Sequence, residues 1–314
     1  MLTGFVLAAG FGTRLQPITS HVPKALVSVC GKPLLERSLA FLHANGIERI
    51  GVNAHAFADQ LIDYKCNSSI DFTLFHEAGD IRGTGGAFAF AHDFLVESDV
   101  FFVCNVDILA NIDLRAAYTA FVASGAIAGL IAVPAEKGNG SIYLDAQTNE
   151  YCGARSEYRV LNEHSADFIG MAFYRKEFLS LVTQDDFSIV PVWKRAQQTG
   201  HKVTVLCTPP DTYWADAGTP RDLAHIHFDV LDSRLTLDIP QEICVDIHAK
   251  KAYHYKLSAN IVSQFGPYTW CESPHGFSGS VPVAHSVIFT NAIVPDSGTI
   301  YNALLTPWGR IDFD

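Results

Sequence analysis

The sequence predicts an α/β fold: a mostly parallel sheet with helices on both faces, followed by a short β-rich tail. Three observations carry this. Strand-like apolar runs and amphipathic helical stretches alternate from residue 4 to about residue 133, as the crossovers of a parallel sheet require. Residues 5–9 and 100–103 are apolar throughout, as strands covered on both faces are. From Val281 onward the text changes to a six-residue rhythm with small and polar residues between.

At 314 residues the chain has ample length for one large domain with an appendage. Its 48% hydrophobic and 18% charged content describe an ordinary globule. The formal charge of −11 argues against a nucleic-acid partner, which would be bound by a net basic surface, and leaves room for a small phosphorylated ligand in a local cationic pocket. The seven cysteines are odd in number and scattered, so they read as buried thiols of a reducing compartment. No apolar stretch reaches the roughly 20 residues of a membrane helix, and no basic segment precedes the first apolar run. The expected location is the cytoplasm.

In chain order, Gly31-Lys32-Pro33 reads as a turn with Pro33 in the first helical position. Leu34, Leu35, Leu39, Phe41 and Leu42 then recur at helical spacing until Asn45-Gly46. Residues 47–53 and 72–75 read as strands, with helices near 56–65 and 84–92. The strand at 100–103 ends in Cys104-Asn105-Val106-Asp107, and a helix near 112–124 and a strand at 126–133 follow. Between 138 and 159, short strands separated by Gly, Asn and Glu suggest an antiparallel insertion. Residues 166–174 and 203–207 read as strands around a helix near 186–199, and Thr219-Pro220 opens a further helix in cap and first-turn positions. Ligands of such a sheet bind at the carboxyl ends of its strands.

The expected domains are 1–230 and 231–314. In the second, Val281, Val287, Ile293, Thr299, Leu305 and Ile311 lie six apart, with Ile288, Val294 and Ile300 beside them. A short hexapeptide-repeat β-helix, left-handed, or an irregular β tail both satisfy this. Two turns bury little alone, so the tail is expected to pack on the main domain or on another subunit, as a homo-oligomer would allow.

The stretch that organises the chain is residues 5–24, FVLAAGFGTRLQPITSHVPK. Gly10 and Gly12 let backbone N–H groups approach a ligand, while the Arg14 fork and the Lys24 point charge suit a polyphosphate. A P-loop would need Gly-Lys-Ser/Thr opening a helix, which is absent. A dinucleotide fingerprint would need a third small residue where Leu15 stands, and Pro17 and Pro23 break the helix it would open. The stretch with its continuation VPKALVSVCGKPLLE closely resembles the N-terminal signature of the sugar-1-phosphate nucleotidyltransferases. The resemblance continues through Gly83-Thr84-Gly85-Gly86-Ala87, Asn105-Val106-Asp107, Phe168-Ile169-Gly170 and Trp214-Ala215-Asp216-Ala217-Gly218-Thr219, covering about residues 1–230. Within the family the pattern looks most like the short branch that includes N-acetylmuramate-1-phosphate uridylyltransferase.

The resemblance implies a Rossmann-like sheet of the nucleotide-diphospho-sugar transferase type and attack of a sugar-1-phosphate on the α-phosphorus of a nucleoside triphosphate, releasing pyrophosphate. UTP is favoured, with GTP and dTTP as alternatives; the sugar is N-acetylmuramate-like or another hexose or heptose. Gly10, Gly12 and Thr13 would give backbone donors, Arg14 would hold the leaving pyrophosphate and Lys24 the α-phosphate. Leu7, Ala8 and Ala9 would pack beneath the base, whose edge Gly85 and Gly86 would read. Asp107, the third catalytic candidate, and Asp216 would hold Mg²⁺, a hard ion that prefers oxygen ligands. The family's Glu-Lys-Pro segment is missing; the comparable region offers Arg155, with Asn162, Glu163 and Gly170 as further sugar contacts. Two competing readings are a catalytically silent nucleotide-sugar-binding regulatory subunit and a GT-A-like glycosyltransferase, whose Asp-x-Asp motif Asp107-Ile108-Leu109 does not complete.

Overall fold

Helices pack against both faces of the sheet around strand β1 (Thr3–Leu7), and every β1 residue but the last is buried. The computed structural model describes residues 2–135, 139–155, 164–277 and 281–313. They form two compact units, Met1–Phe11 with Ser38–Trp214, and Gly12–Arg37 with Ala215–Asp314. The stretch after Phe11 clusters with the segment that begins at Ala215.

In the first unit the strands are β1, β2 (Arg49–Ala54), β3 (Thr73–His76), β4 (Val100–Asn105), β5 (Ala128–Pro134), β6 (Ile142–Leu144), β7 (Tyr151–Ala154), β8 (His164–Arg175) and β9 (Val203–Cys207). Their order is β7-β6-β8-β4-β1-β2-β3, with β5 also beside β8 and β9 beside β5. The half β4-β1-β2-β3 is parallel throughout. β8 runs antiparallel to β4, β5 and β6, so the sheet is mixed, and β6–β7 is the antiparallel insertion expected from the change of texture after residue 138. The helices are α1 (Leu34–Ala44), α2 (Ala58–Asn67), α3 (Gly83–Phe90), α4 (Leu114–Ser124), α5 (Val190–Gln198) and, in the second unit, α6 (Pro220–Leu231).

Adjacent residues of β8 show how both faces are covered, since successive strand side chains point opposite ways. Phe173 stacks on Phe121 of α4, with centroids 5.6 Å apart. Tyr174 accepts a 3.1 Å hydrogen bond from the indole of Trp193 on α5. The second unit begins at a tight loop and ends in a coil of strands, β10 (Ile243–Asp246), β11 (Lys251–His254), β12 (Thr269–Cys271), β13 (Val283–Ile288), β14 (Ile300–Thr306) and β15 (Gly309–Asp312), paired in that order. β11 to β14 are parallel, with partners 18 residues apart at Lys251↔Thr269 and 17 apart at Val283↔Ile300.

A coil therefore closes every 17 or 18 residues, close to three hexapeptides, which is why a six-residue rhythm is visible. The register read from it does not hold. Val287 faces Leu304 instead of Leu305, and Ile293 and Thr299 are exposed. The connections between rungs bulge into turns that break the period.

The segment 183–189 is fixed to the following helix, α5, by one ion pair. Arg195 donates to both carboxylate oxygens of Asp186 at 2.8 Å, and Thr183 adds its N–H and hydroxyl. These donors hold the Asp186 carboxyl well below the usual carboxylate range. Its folded pKa is lowered, so the stabilisation is present above the unfolded value near 4 and is lost as pH falls through the folded one. Urea denaturation at pH 7 and pH 3 should show Asp186→Asn about 1 kcal/mol less stable at pH 7, modest because Arg195 is partly exposed, with the gap narrowing at pH 3. An equal gap at both pH values would count against the pair.

Candidate active site

In the first unit β1 is flanked by β2 on one side and β4 on the other, the switch point at which parallel sheets bind ligands. A buried polar chain joins the strand ends there. Ala8 N–H donates to Asn53 Oδ1 at 2.6 Å, Asn53 Nδ2 to Glu77 Oε1 at 2.8 Å, and Arg82 N–H to Glu77 Oε2 at 2.9 Å. His55 Nδ1 donates to the Glu77 carbonyl at 2.9 Å. A fully buried carboxylate satisfied this way ties the carboxyl ends of β1, β2 and β3 to the start of α3. Asn53 and Glu77 are absent from the sequence reading. Asn53 leaves a faint trace as a polar residue ending a buried strand; Glu77 leaves none.

Asp107 follows β4 in a turn held by Val106 N–H on the Leu7 carbonyl and by the Ser38 hydroxyl on Val106 O. It is half-buried, and its charge adds to the burial that pushes the Cys104 thiol up to about 12. Gly170 lies at a register shift of β8, at φ 73°, and a Cβ there would stand 2.6 Å from Asn105 Nδ2. The Phe-Ile-Gly motif therefore serves the close approach of β8 to the Asn105-Val106-Asp107 turn.

Gly85 and Gly86, expected at the base edge, lie in α3 against the segment 183–189 and Arg82. Gly85 N–H is engaged by the Phe187 carbonyl at 3.3 Å, and a Cβ on Gly85 would lie 2.2 Å from the Asp186 carbonyl oxygen. Ile189 N–H meets Thr84 Oγ1 at 2.9 Å. The glycines of this motif let segment 183–189 cross α3 at contact distance; Gly86 lies against Arg82 Cβ. Leu7 is half-buried, and Ala8 and Ala9 are buried at the end of β1. Arg155 is exposed and donates to the Asn139 carbonyl at 3.0 Å, while Asn162 and Glu163 lie outside the described residues.

The second unit carries the cations. After the exposed Gly10 and Phe11 of the first unit, Gly12 takes φ 61° and caps a single 3-10 turn, Thr13–Leu15. Two more such turns, Ile18–Ser20 and Lys24–Leu26, follow, so the prolines limit the stretch to tight turns. Thr19 Oγ1 donates to the Gly12 carbonyl at 2.8 Å, and a Gly12 Cβ would press on Thr19 and Lys24. Leu15, buried, anchors the first turn. Thr13 and Arg14 are exposed, whereas the Lys24 side chain is only 9% exposed. Both cations converge on Asp216, Arg14 Nη2 at 3.3 Å from Oδ2 and Lys24 Nζ at 3.7 Å from Oδ1. Gly218 lies beneath the guanidinium, where a Cβ would be 2.7 Å from Arg14 Nη2. The Trp-x-Asp-x-Gly-Thr stretch thus places a carboxylate and a floor under Arg14, and Thr219 caps α6 through Asp222 N–H at 3.2 Å.

A family model for nucleotidyl transferases matches residues 3–233. The N-acetylmuramate alpha-1-phosphate uridylyltransferase of Caulobacter vibrioides is 29% identical over 231 residues, covering 69% of this chain and 91% of that protein. The catalytic subunit beta of mannose-1-phosphate guanylyltransferase from Xenopus tropicalis is 33% identical over 115 residues, covering 35% of this chain and 32% of that protein. The crystal structure of HddC from Yersinia pseudotuberculosis complexed with GMP-PN superposes with a TM-score of 0.58 at 22% identity, covering 72% of this chain and 98% of that one. At that identity the likeness concerns the fold alone.

Gly218→Ala tests the floor under Arg14. The obstructing atoms are the end of a flexible side chain, so thermal unfolding should change by no more than about 0.5 kcal/mol while Arg14 leaves Asp216 in a crystal structure of the variant. An unmoved guanidinium would show that the glycine is incidental.

Proposed function

The chain belongs to the nucleotidyl transferase family, and from that premise we propose that it joins a nucleoside triphosphate, UTP by preference, to a sugar-1-phosphate, releasing pyrophosphate. The observation that carries the reading is the convergence of Arg14 and Lys24 on one carboxylate: an anion arriving there meets two cations that the loop has already brought together. Phosphoryl chemistry of this kind asks the protein for position and charge rather than covalent help.

In the proposed reaction a sugar-phosphate oxygen bonds to the α-phosphorus as the bond to the β-phosphate oxygen breaks, and the pyrophosphate leaves with that electron pair. Lys24 neutralises the α-phosphate, where charge grows, and Arg14 takes the departing pyrophosphate. Gly10, Gly12 and Thr13 line the same stretch. The ends of β1 with Ala8 and Ala9 offer an apolar bed for the base. Gly86 remains a candidate for its edge, whereas Gly85 N–H is engaged by Phe187. The preference for uridine rests on the Caulobacter relative; GTP and dTTP are the alternatives. Arg155, which stands where the family's Glu-Lys-Pro is missing, and Asn162, Glu163 and Gly170 stay proposed sugar contacts, with an N-acetylmuramate-like sugar or another hexose or heptose as the substrate.

Mg²⁺ is the proposed metal. Among the described residues no three His, Cys, Asp or Glu side chains gather as a ready ligand set. An ion that keeps waters and substrate oxygens in its shell fits that sparse donor supply better than one needing a protein cage. Asp216 supplies carboxylate oxygens beside the phosphate-binding cations, and the part of Asp107 as a second ligand rests on its motif. When bound, the ion would neutralise charge on the phosphates. Cytoplasmic location and a homo-oligomer formed through residues 231–314 belong to the same proposal; no helix among the described residues is long and apolar enough to cross a membrane.

Pyrophosphate release from a panel of triphosphates and sugar-1-phosphates with Mg²⁺ is the test. One pair should turn over, and Arg14→Ala and Lys24→Ala should each lower kcat by roughly 10²–10³. Asp107→Asn should lose turnover more than nucleotide binding. Binding of triphosphate with no turnover for any pair would replace this reading with that of a silent regulatory subunit.

A further inference from the structure

The stretch with Arg14 and Lys24 is built into the second unit, in one body with residues 215–314. Four residues after Lys24 the chain forms a two-stranded ribbon, Ser28–Val29 against Lys32–Pro33, closed by Cys30 and Gly31. Both turn residues have positive φ, 50° and 82°, so neither turn amide points at a partner in the ribbon's own ladder.

Both amides are accepted by buried side chains of the C-terminal segment. Gly31 N–H donates to Glu272 Oε1 at 2.7 Å, and Cys30 N–H to His227 Nε2 at 2.9 Å. The Ser28 hydroxyl lies 3.0 Å from Glu272 Oε2. His227 Nδ1 donates to the Leu223 carbonyl at 2.8 Å, which fixes its tautomer: Nε2 is an acceptor and the ring is neutral. Glu272 is therefore a buried carboxylate held by neutral donors at one turn. On the other edge, Lys32 pairs with Asp238 at 2.8 Å, and Arg37 bridges Val29 O, Cys30 O and Asp238 O.

Packing fixes the same loop on one side only, through buried Leu15, Ala25 and Val27. A cavity of about 300 Å³ lies between Ile18, Val22 and Leu26 of the loop and Phe289 and Trp308 of the coil. The loop's back is thus incompletely supported, and its one aromatic contact there, His21 on Trp308 at 4.8 Å, is at the rim. With an open space on that side of the loop, polar pins add to the buried apolar anchors in setting where it stands.

We infer that Glu272, assisted by His227, is a positioning residue for the Arg14 and Lys24 loop, so that the β-coil is a working part of the triphosphate site. The inference rests on the reading of that loop as a phosphate clamp. Glu272 touches no substrate in this account. It holds the ribbon, the ribbon holds the exit of the Lys24–Leu26 turn, and that turn aims the Lys24 ammonium at Asp216.

The test pairs a structural readout with a kinetic one on the full chain. Hydrogen exchange of peptides spanning residues 12–27 should quicken roughly tenfold or more in Glu272→Ala, with β1 and β4 unchanged. The KM for triphosphate should rise roughly tenfold while that for the sugar phosphate stays within about twofold. Glu272→Gln keeps a carbonyl for Gly31 N–H and should stay close to the parent in both. Ser28→Ala, which removes one link only, should fall between and guards against a misfolded Glu272→Ala. Unchanged exchange and KM in Glu272→Ala and Ser28→Ala would overturn the inference, and so would a Gln variant as impaired as Ala. A parent protein without turnover whose loop still loosens in Glu272→Ala would sink the clamp reading and leave the positioning role standing.

Discussion

The interaction on which the second unit's chemistry depends is the pairing of Asp216 with Arg14 and Lys24. A lysine as buried as Lys24 needs an opposite charge close by, since an unpaired ammonium out of water is costly. Asp216 supplies it, and in doing so gathers both cations at one carboxylate. The conformations around it follow. Gly12 must be glycine to let the loop fold back on Lys24, and Gly218 leaves room for the guanidinium. Thr219 starts α6 directly after Asp216 and Ala217-Gly218, which fixes the carboxylate on a rigid element.

The first unit solves its own problem by the same means, a buried carboxylate with organised donors. Glu77 has no cation in its hydrogen-bond set; it is satisfied by Asn53 and by a backbone amide at the start of α3. Such a network is worth keeping because half-satisfied it would be more costly than an apolar core. It fixes the ends of three parallel strands where a ligand of this fold sits. Two glycines of the motifs are sites of close approach, Gly85 to the Asp186 carbonyl and Gly170 to Asn105.

How much of this was legible in the sequence depends on range. Local chemistry was readable: residues 203–207 as a strand, Thr219 as a cap with Pro220 in the first turn, and the antiparallel insertion after residue 138 each follow from residue type and spacing. Arg14, Lys24 and Asp216 were legible as a set through their motifs, though nothing in the motifs says that they touch. Long-range pairing was not readable. Ser28 meets Glu272 across 244 residues, and no periodicity or cap announces a buried glutamate at the end of a short strand. The coil illustrates the boundary between the two: a period of six survives in composition, but rungs of 17 and 18 residues shift its phase, so Ile293 faces water where the rhythm places it inside.

Asp216 has two parts in this account that oppose each other in sign. It is the anion that occupies Arg14 and Lys24; in the proposed reaction it would also be a metal ligand. Triphosphate affinity measured by calorimetry in the presence of a chelator separates them. Asp216→Asn removes a negative charge beside the incoming phosphates, so metal-free binding should tighten while Mg²⁺-supported turnover collapses. Weaker metal-free binding in that variant would contradict the account, because it would mean that Asp216 is needed to build the loop and not that it holds the phosphates' place.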